Sequence, residues 1–226
     1  MDYPRLIGSD GARWTLLLSH GAGASTASHF FSEFSARLRE GGKKVGGIRI
    51  ASFDFPYMRK TILTGRRNFP DPIAVLTKTY LEAIVLLNIE PTHLIIGGKS
   101  MGARVASIIA EESNVAALVC LGYPFHPRGK PEKLRTAHLE NLSLPTLICQ
   151  GTRDPLGSLE DTKNYHLSST IQFEWLPDGN HDFVPRKRSG YTLDEKLSIS
   201  YIPSRSIRSS LIKITLMEWG CAKSSV

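Results

Sequence analysis

Cysteine is scarce in this 226-residue chain. Cys120, Cys149 and Cys221 are an odd number, and none pairs with another at C-x-x-C spacing. The first two stand inside apolar runs and read as buried, reduced thiols of a reducing compartment, so a cytoplasmic protein without disulfide framework or structural zinc is expected. Long hydrophobic runs are missing too. Nothing approaches the roughly eighteen residues that span a bilayer, and Met1-Asp2-Tyr3-Pro4-Arg5 lacks the basic-then-apolar pattern of a secretion signal. No membrane association is expected. The seven histidines include no H-E-x-x-H, so no metal is predicted. Gly21-Ala22-Gly23 runs into Ser25-Thr26 instead of completing a G-x-G-x-x-G. A phosphate loop ending in Gly98-Lys99-Ser100 would need glycine where His93 stands. No cofactor is predicted.

With 41% hydrophobic and 22% charged residues, the chain can bury a sizeable core as a single domain, residues 1–226. The formal net charge of +7 is clustered. Nine cations, Arg37, Arg39, Lys43, Lys44, Arg49, Arg59, Lys60, Arg66 and Arg67, face only Glu40 and Asp54 between residues 37 and 67. Arg186-Lys187-Arg188 forms a second group. Such a field attracts anionic substrates or acidic partners. No recognition motif accompanies it, so no nucleic acid is expected and a solvated face is the plain reading.

Apolar runs alternate with amphipathic stretches. Trp14 to Ser19, Ile48 to Phe53, His93 to Gly98, Val115 to Leu121, Pro145 to Gln150 and Ile171 to Leu176 read as six buried strands. Between them, a helix carrying Phe30, Phe31, Phe34 and Leu38 is expected, capped by Ser25 or Thr26 and stopped at Gly41-Gly42. A second, N-capped by Asp71 with Pro72 at its first position, carries Leu76, Tyr80 and Ile84, and a third follows Ser100. Met58 to Asn68 reads as a basic loop, Pro131 to Leu142 as a polar helix and Leu159 as part of a short one. This alternation predicts a mainly parallel, twisted sheet of about six or seven strands with helices on both faces. About two dozen residues separate Leu121 from Pro145, too few for a lid domain, so the site should be open. Past Gly190 the chain is irregular until Ile207, Leu211, Ile214 and Met217 or Trp219 suggest a last helix.

Gly98-Lys99-Ser100-Met101-Gly102 is a G-x-S-x-G where a strand turns into a helix, the setting of a strained, exposed nucleophile. An acyl-transfer serine needs a base and a carboxylate to orient it. Asp154 follows the strand ending at Gln150, and His181 follows the strand ending at Leu176, so the order is Ser100, Asp154, His181. Asp178, Asp182 and Asp54 are poorer candidates for the acid. The oxyanion donors expected are the amides of Met101 and Ala22, the latter in the turn after the first strand, where His20 braces the loop.

Four segments carry a family resemblance: Leu18 to Ala24, Gly97 to Arg104, Leu121 to Pro127 with Gly129-Lys130-Pro131, and Gly179 to Phe183 leading into Arg186 to Gly190. Over about residues 12–190 the chain resembles the α/β-hydrolase superfamily. Within it, the chain is similar to the small, lidless, dienelactone-hydrolase-like group that includes the testis-expressed and NSL-complex-subunit hydrolase relatives. The resemblance implies Ser100 as nucleophile, Asp154 as acid, His181 as base and the Ala22 and Met101 amides as oxyanion hole. The segment 191–226 departs from the compact closing helix of such proteins.

Two functions follow from the sequence. One is a serine hydrolase, monomer or homodimer, acting on a small-molecule ester, thioester or related acyl bond. Tyr57, Met58, Tyr123, Phe125 and His126 are then candidates to line an apolar pocket, and Arg59, Lys60 and Arg128 to favour an acidic acyl group. The other is an interaction module with an idle serine, binding an acidic partner through its basic surface.

Overall fold

The structure, a computed structural model, describes residues 4–43 and 46–190. Cys221 and the helix expected between Ile207 and Trp219 lie outside them.

Side-chain alternation decides which way each strand residue faces. In β2 (Trp14–Ser19), Leu16 and Leu18 pack with Phe31, Phe34 and Leu38 of α1 (His29–Gly42) on one side of the sheet. Leu17 packs with Leu76 and Tyr80 of α3 (Ile73–Leu87) on the other. Both faces are covered, every residue of β2 is buried, and the strand therefore reads as one unbroken apolar run.

The described residues form one seven-stranded sheet. Besides β2 it contains β1 (Arg5–Ile7), β3 (Ile48–Phe53), β4 (Leu94–Lys99), β5 (Ala117–Leu121), β6 (Thr146–Gly151) and β7 (Ile171–Leu176), in the order β1-β3-β2-β4-β5-β6-β7. All neighbours are parallel except β1, which pairs antiparallel with β3 through Arg5↔Ser52, Leu6↔Ala51 and Ile7↔Ile50. From β2 the chain winds to β3 on one side and then returns to β4 on the other. The crevice beyond the carboxyl ends of β2 and β4 is thus the switch point, where open α/β sheets bind ligands. Register brings Ser19 beside Gly98 there, one turn short of α4 (Met101–Ile109).

Several expectations are corrected. Residues of the expected basic loop form α2 (Pro56–Thr64), with Pro56 in its first turn and Gly65 ending it at φ 66°. Asp71 does not cap α3, whose N-cap is Pro72; its carboxylate accepts the Tyr57 N–H of α2 at 2.9 Å. The N-cap of α1 is Ser28, because Thr26 is drawn to Asp54, which accepts both its N–H and its hydroxyl. Between Pro131 and Leu142 only Ala137–Leu139 makes a helical turn. The stretch lies instead along the loop after β5, where Arg135 donates its N–H to Phe125 O and accepts from the Tyr123 hydroxyl. The short helix near Leu159 is α5 (Leu159–Thr162).

Cys120 and Cys149 are free and buried, and burial pushes both thiols up. Among the described residues no lid domain covers the strand ends, and no helix is long and apolar enough to cross a membrane.

Candidate active site

Ser100 sits between β4 and α4 at φ 52°, ψ −111°, backbone that a non-glycine residue holds only under strain. Its surroundings hold it there. The Ser100 N–H donates to Leu121 O at 2.9 Å, and Arg104 N–H of α4 donates back to Ser100 O. Gly98 and Gly102 let the elbow press against β2: a Cβ on either would lie 2.6 Å or 2.4 Å from Ser19 O. The serine stays half-buried with its hydroxyl at the amino end of α4.

Its Oγ lies 2.8 Å from Nε2 of His181. Nδ1 of the same ring lies 2.8 Å from Oδ2 of Asp154, whose side chain is fully buried. Ser100, Asp154 and His181 follow three different strands, β4, β6 and β7, and the structure brings all three together. The competing acids are engaged elsewhere. Asp54 bonds Thr26, Asp182 is 3.5 Å from Lys99, and Asp178 accepts from Arg186 Nε at 2.8 Å and pairs with Arg153 at 2.7 Å. Arg186 first, with Arg153, holds the Asp178 carboxyl well below the usual carboxylate range.

Two glycines seat the turn that carries His181. Gly151 leaves room for Gly179 O and Asn180 O, each 2.4 Å from where its Cβ would be. Asn180 Oδ1 accepts the N–H groups of Asp182 and Val184, both at 2.9 Å.

On the other side of Ser100 runs the turn after β2. Gly21 lies against the nucleophile, its ideal Cβ 3.5 Å from that of Ser100. Nε2 of the fully buried His20 accepts the Phe55 N–H at 3.0 Å, so Nδ1 carries the proton and donates to Gly21 O at 2.7 Å. Burial above all lowers the pKa of this imidazole and keeps it neutral. The Tyr57 hydroxyl lies 3.3 Å from Gly21 O and 3.2 Å from Ala22 O. Ala22 itself is exposed and Met101 half-buried.

Tyr57, Met58, Tyr123, Phe125 and His126 are all buried, and Tyr123 and Phe125 have no exposed surface. These five candidates for an apolar substrate pocket therefore pack into the protein interior. The positive φ (65°) of Gly122 turns the chain inward, where Tyr123 exchanges backbone bonds with the Gln150 amide and sends its hydroxyl to Arg135 O. Tyr57 stands behind the β2 turn, and His126 Nδ1 bonds Pro127 O. A cleft of about 300 Å³ opens instead among β3, α2 and α3, lined by Thr26, Asp54, Arg59, Ile62 and Leu63 but by no member of the Ser100–His181–Asp154 chain.

Sequence reading missed two neighbours of the site. Gln150, fully buried, donates from Nε2 to Asp154 Oδ2 at 2.9 Å. Lys99, buried, reaches the His181 turn. The only signal for either was a polar residue closing an otherwise apolar strand.

A mainly parallel sheet with a reversal between β2 and β4 and a strained serine at the elbow after β4 are features of the α/β-hydrolase class. The sequence model of a family of alpha/beta hydrolase domains matches residues 12–204, and the chain belongs to that family. Solved structures share the fold. A dienelactone hydrolase from Anabaena variabilis superposes with TM-score 0.59 at 22% identity, covering 79% of this chain and 81% of that one. A serine hydrolase without lid from Xanthomonas campestris gives 0.57 at 16% identity, covering 80% and 87%. Est1E from Butyrivibrio proteoclasticus gives 0.60 at 11% identity, covering 94% and 92%. No curated protein matches the sequence.

Proposed function

We propose that the chain is a serine hydrolase that cleaves a carboxylic ester, thioester or related acyl bond through an acyl-enzyme on Ser100. What supports this most is the unbroken contact chain from Ser100 Oγ through His181 to Asp154, 2.8 Å at each step, at a strained elbow. Nε2 of His181 takes the hydroxyl proton as Oγ bonds to the acyl carbon, then hands it to the departing alkoxide or thiolate. In the second half the same nitrogen deprotonates water, which displaces Ser100 and releases the acid. Asp154 holds the ring with its proton on Nδ1 and stabilises the imidazolium.

The oxyanion falls to the amides of Met101 and Ala22. In a trans peptide the N–H points opposite the carbonyl, and Gly21 O is held inward by His20. The Ala22 N–H is thereby turned away from the interior. Losing one such donor costs about 10²–10³ in turnover. With the five aromatic, sulfur and imidazole candidates buried, short acyl groups at an open site are the substrates that fit.

A panel of p-nitrophenyl esters of increasing acyl length tests the reading. Acetyl and butyryl esters should be cleaved best, and Ser100→Ala or His181→Ala should lower kcat by roughly 10⁴-fold or more. A folded wild-type protein inert to the whole panel would leave the interaction-module reading. That alternative predicts a salt-sensitive complex with an acidic partner, unchanged by Ser100→Ala and lost on charge reversal at Arg66 and Arg67.

A further inference from the structure

The lysine inside the elbow has no task in the reaction just described. Lys99 closes β4 and is 7% exposed. Burying an ammonium is costly unless the protein replaces its water with partners. Its Nζ donates to the backbone O of His181 at 2.6 Å, stands 3.5 Å from Asp182 Oδ1 and lies 5.3 Å from the centre of the Phe183 ring. All three partners belong to consecutive residues of one turn, the turn that presents the His181 ring to Ser100. The pair with Asp182 does not explain the burial, because that carboxylate is 75% exposed and such pairs contribute little. The shortest contact goes to the carbonyl of His181 itself.

The surroundings are fitted to this contact. A Cβ on Gly122, just after β5, would lie 3.0 Å from Lys99 Nζ, 3.1 Å from His181 O and 3.5 Å from its ring Cε1. Glycine at φ 65° is therefore what leaves room for the ammonium and the imidazole together. On the far side, Phe183 holds φ 67° without being glycine, so the turn, tied within itself by Asn180, is also under backbone strain.

We propose that Lys99 is a positioning residue whose buried ammonium, tied to residues 181–183, fixes how far the His181 ring advances toward Ser100. The inference rests on the serine-hydrolase reading and deepens it: residues 99 and 100, adjacent at one strand end, hold the base from behind and meet it in front. The charged groups facing the ammonium are Asp182 on the turn and Asp154 beyond β6. Burial outweighs both and lowers the lysine pKa. A misplacement of about 1 Å between reacting groups costs on the order of 10²-fold in rate.

The test uses the full chain with Lys99→Ala, which deletes the equivalent of propylamine, and Lys99→Met, which keeps the apolar stem and guards against loss of fold. On p-nitrophenyl acetate, both should lose about 10- to 100-fold in kcat with KM within about 2-fold. Propylammonium should restore Lys99→Ala saturably, and 1-propanol should not. Variants within about 2-fold of wild type, or rescue by the alcohol as good as by the amine, would overturn the proposal. Hydrogen exchange reads the hold without any substrate. The amides of residues 181–183 should exchange about tenfold faster in Lys99→Met while those of α4 do not change, and equal exchange overturns it. Wild type inert toward esters would instead defeat the hydrolase reading, and the exchange result would still decide whether the lysine holds the turn.

Discussion

Asp154 is a buried carboxylate, and its partners can be counted. Oδ2 accepts from His181 Nδ1 and from Gln150 Nε2, and Oδ1 accepts the Leu156 N–H at 2.8 Å. Gln150 also serves Tyr123 O and Gly157 O, and its Oε1 takes the Tyr123 N–H at 2.7 Å. Gln150→Leu strands several buried polar groups, each worth about 1–3 kcal/mol. Calorimetry should show a melting point at least about 5 °C lower, and ester turnover should fall about tenfold as the acid loosens. His20 makes a second residue-level prediction. Its pKa is lowered in the fold, so well above about 6.5 both folded and unfolded chains carry it neutral and its contribution is complete. As pH falls below that value the unfolded chain takes up the proton first, and stability is lost down to the folded pKa. His20→Gln should therefore lose less stability than wild type between about pH 6.5 and 5, measured by urea midpoints; identical slopes would contradict the neutral assignment.

At the scale of elements, close approach decides more than propensity does. Helix propensity favours Gly102→Ala by about 1 kcal/mol, but the new methyl would sit 2.4 Å from Ser19 O and 2.5 Å from Ser19 Oγ. The clash should win, with a net loss of about 2 kcal/mol or more in denaturant unfolding. Gly65→Ala is the contrasting case. Nothing lies within 4 Å of its Cβ, so only the positive φ is penalised and about 1 kcal/mol is expected. The parallel strands were legible because both of their faces are packed, which leaves continuous apolar runs. β1 was not, since Arg5 and Leu6 are exposed and the strand exists through its pairing with β3. α2 was hidden because only Tyr57 and Met58 of it are buried, too few to make a period; Pro56 and Gly65 were its signals. Ser100, Asp154 and His181 stood out as chemical residues just past strand ends. The burial of Lys99, Gln150 and Tyr123 arises from long-range contacts that no local pattern records.

Over the whole molecule, the net charge of +7, with the exposed Lys60 of α2 and Arg66 and Arg67 just after it, makes a positive field. An ester with an anionic acyl group should be favoured over a neutral one of equal length, and the preference should shrink about 2- to 5-fold from about 20 to about 200 mM salt. Charge reversal at Arg66 and Arg67 should remove that salt dependence without altering neutral-ester kinetics. The sheet collects one loop from each of β2, β4, β6 and β7 around a single hydroxyl, and the whole functional reading depends on that convergence. Treatment of the folded protein with a fluorophosphonate, followed by mass mapping, tests it most directly. One adduct on Ser100, absent in Ser100→Ala and in His181→Ala, is the outcome expected. An unmodified Ser100 in the folded wild type, or labelling that persists in His181→Ala at the wild-type rate, would contradict it.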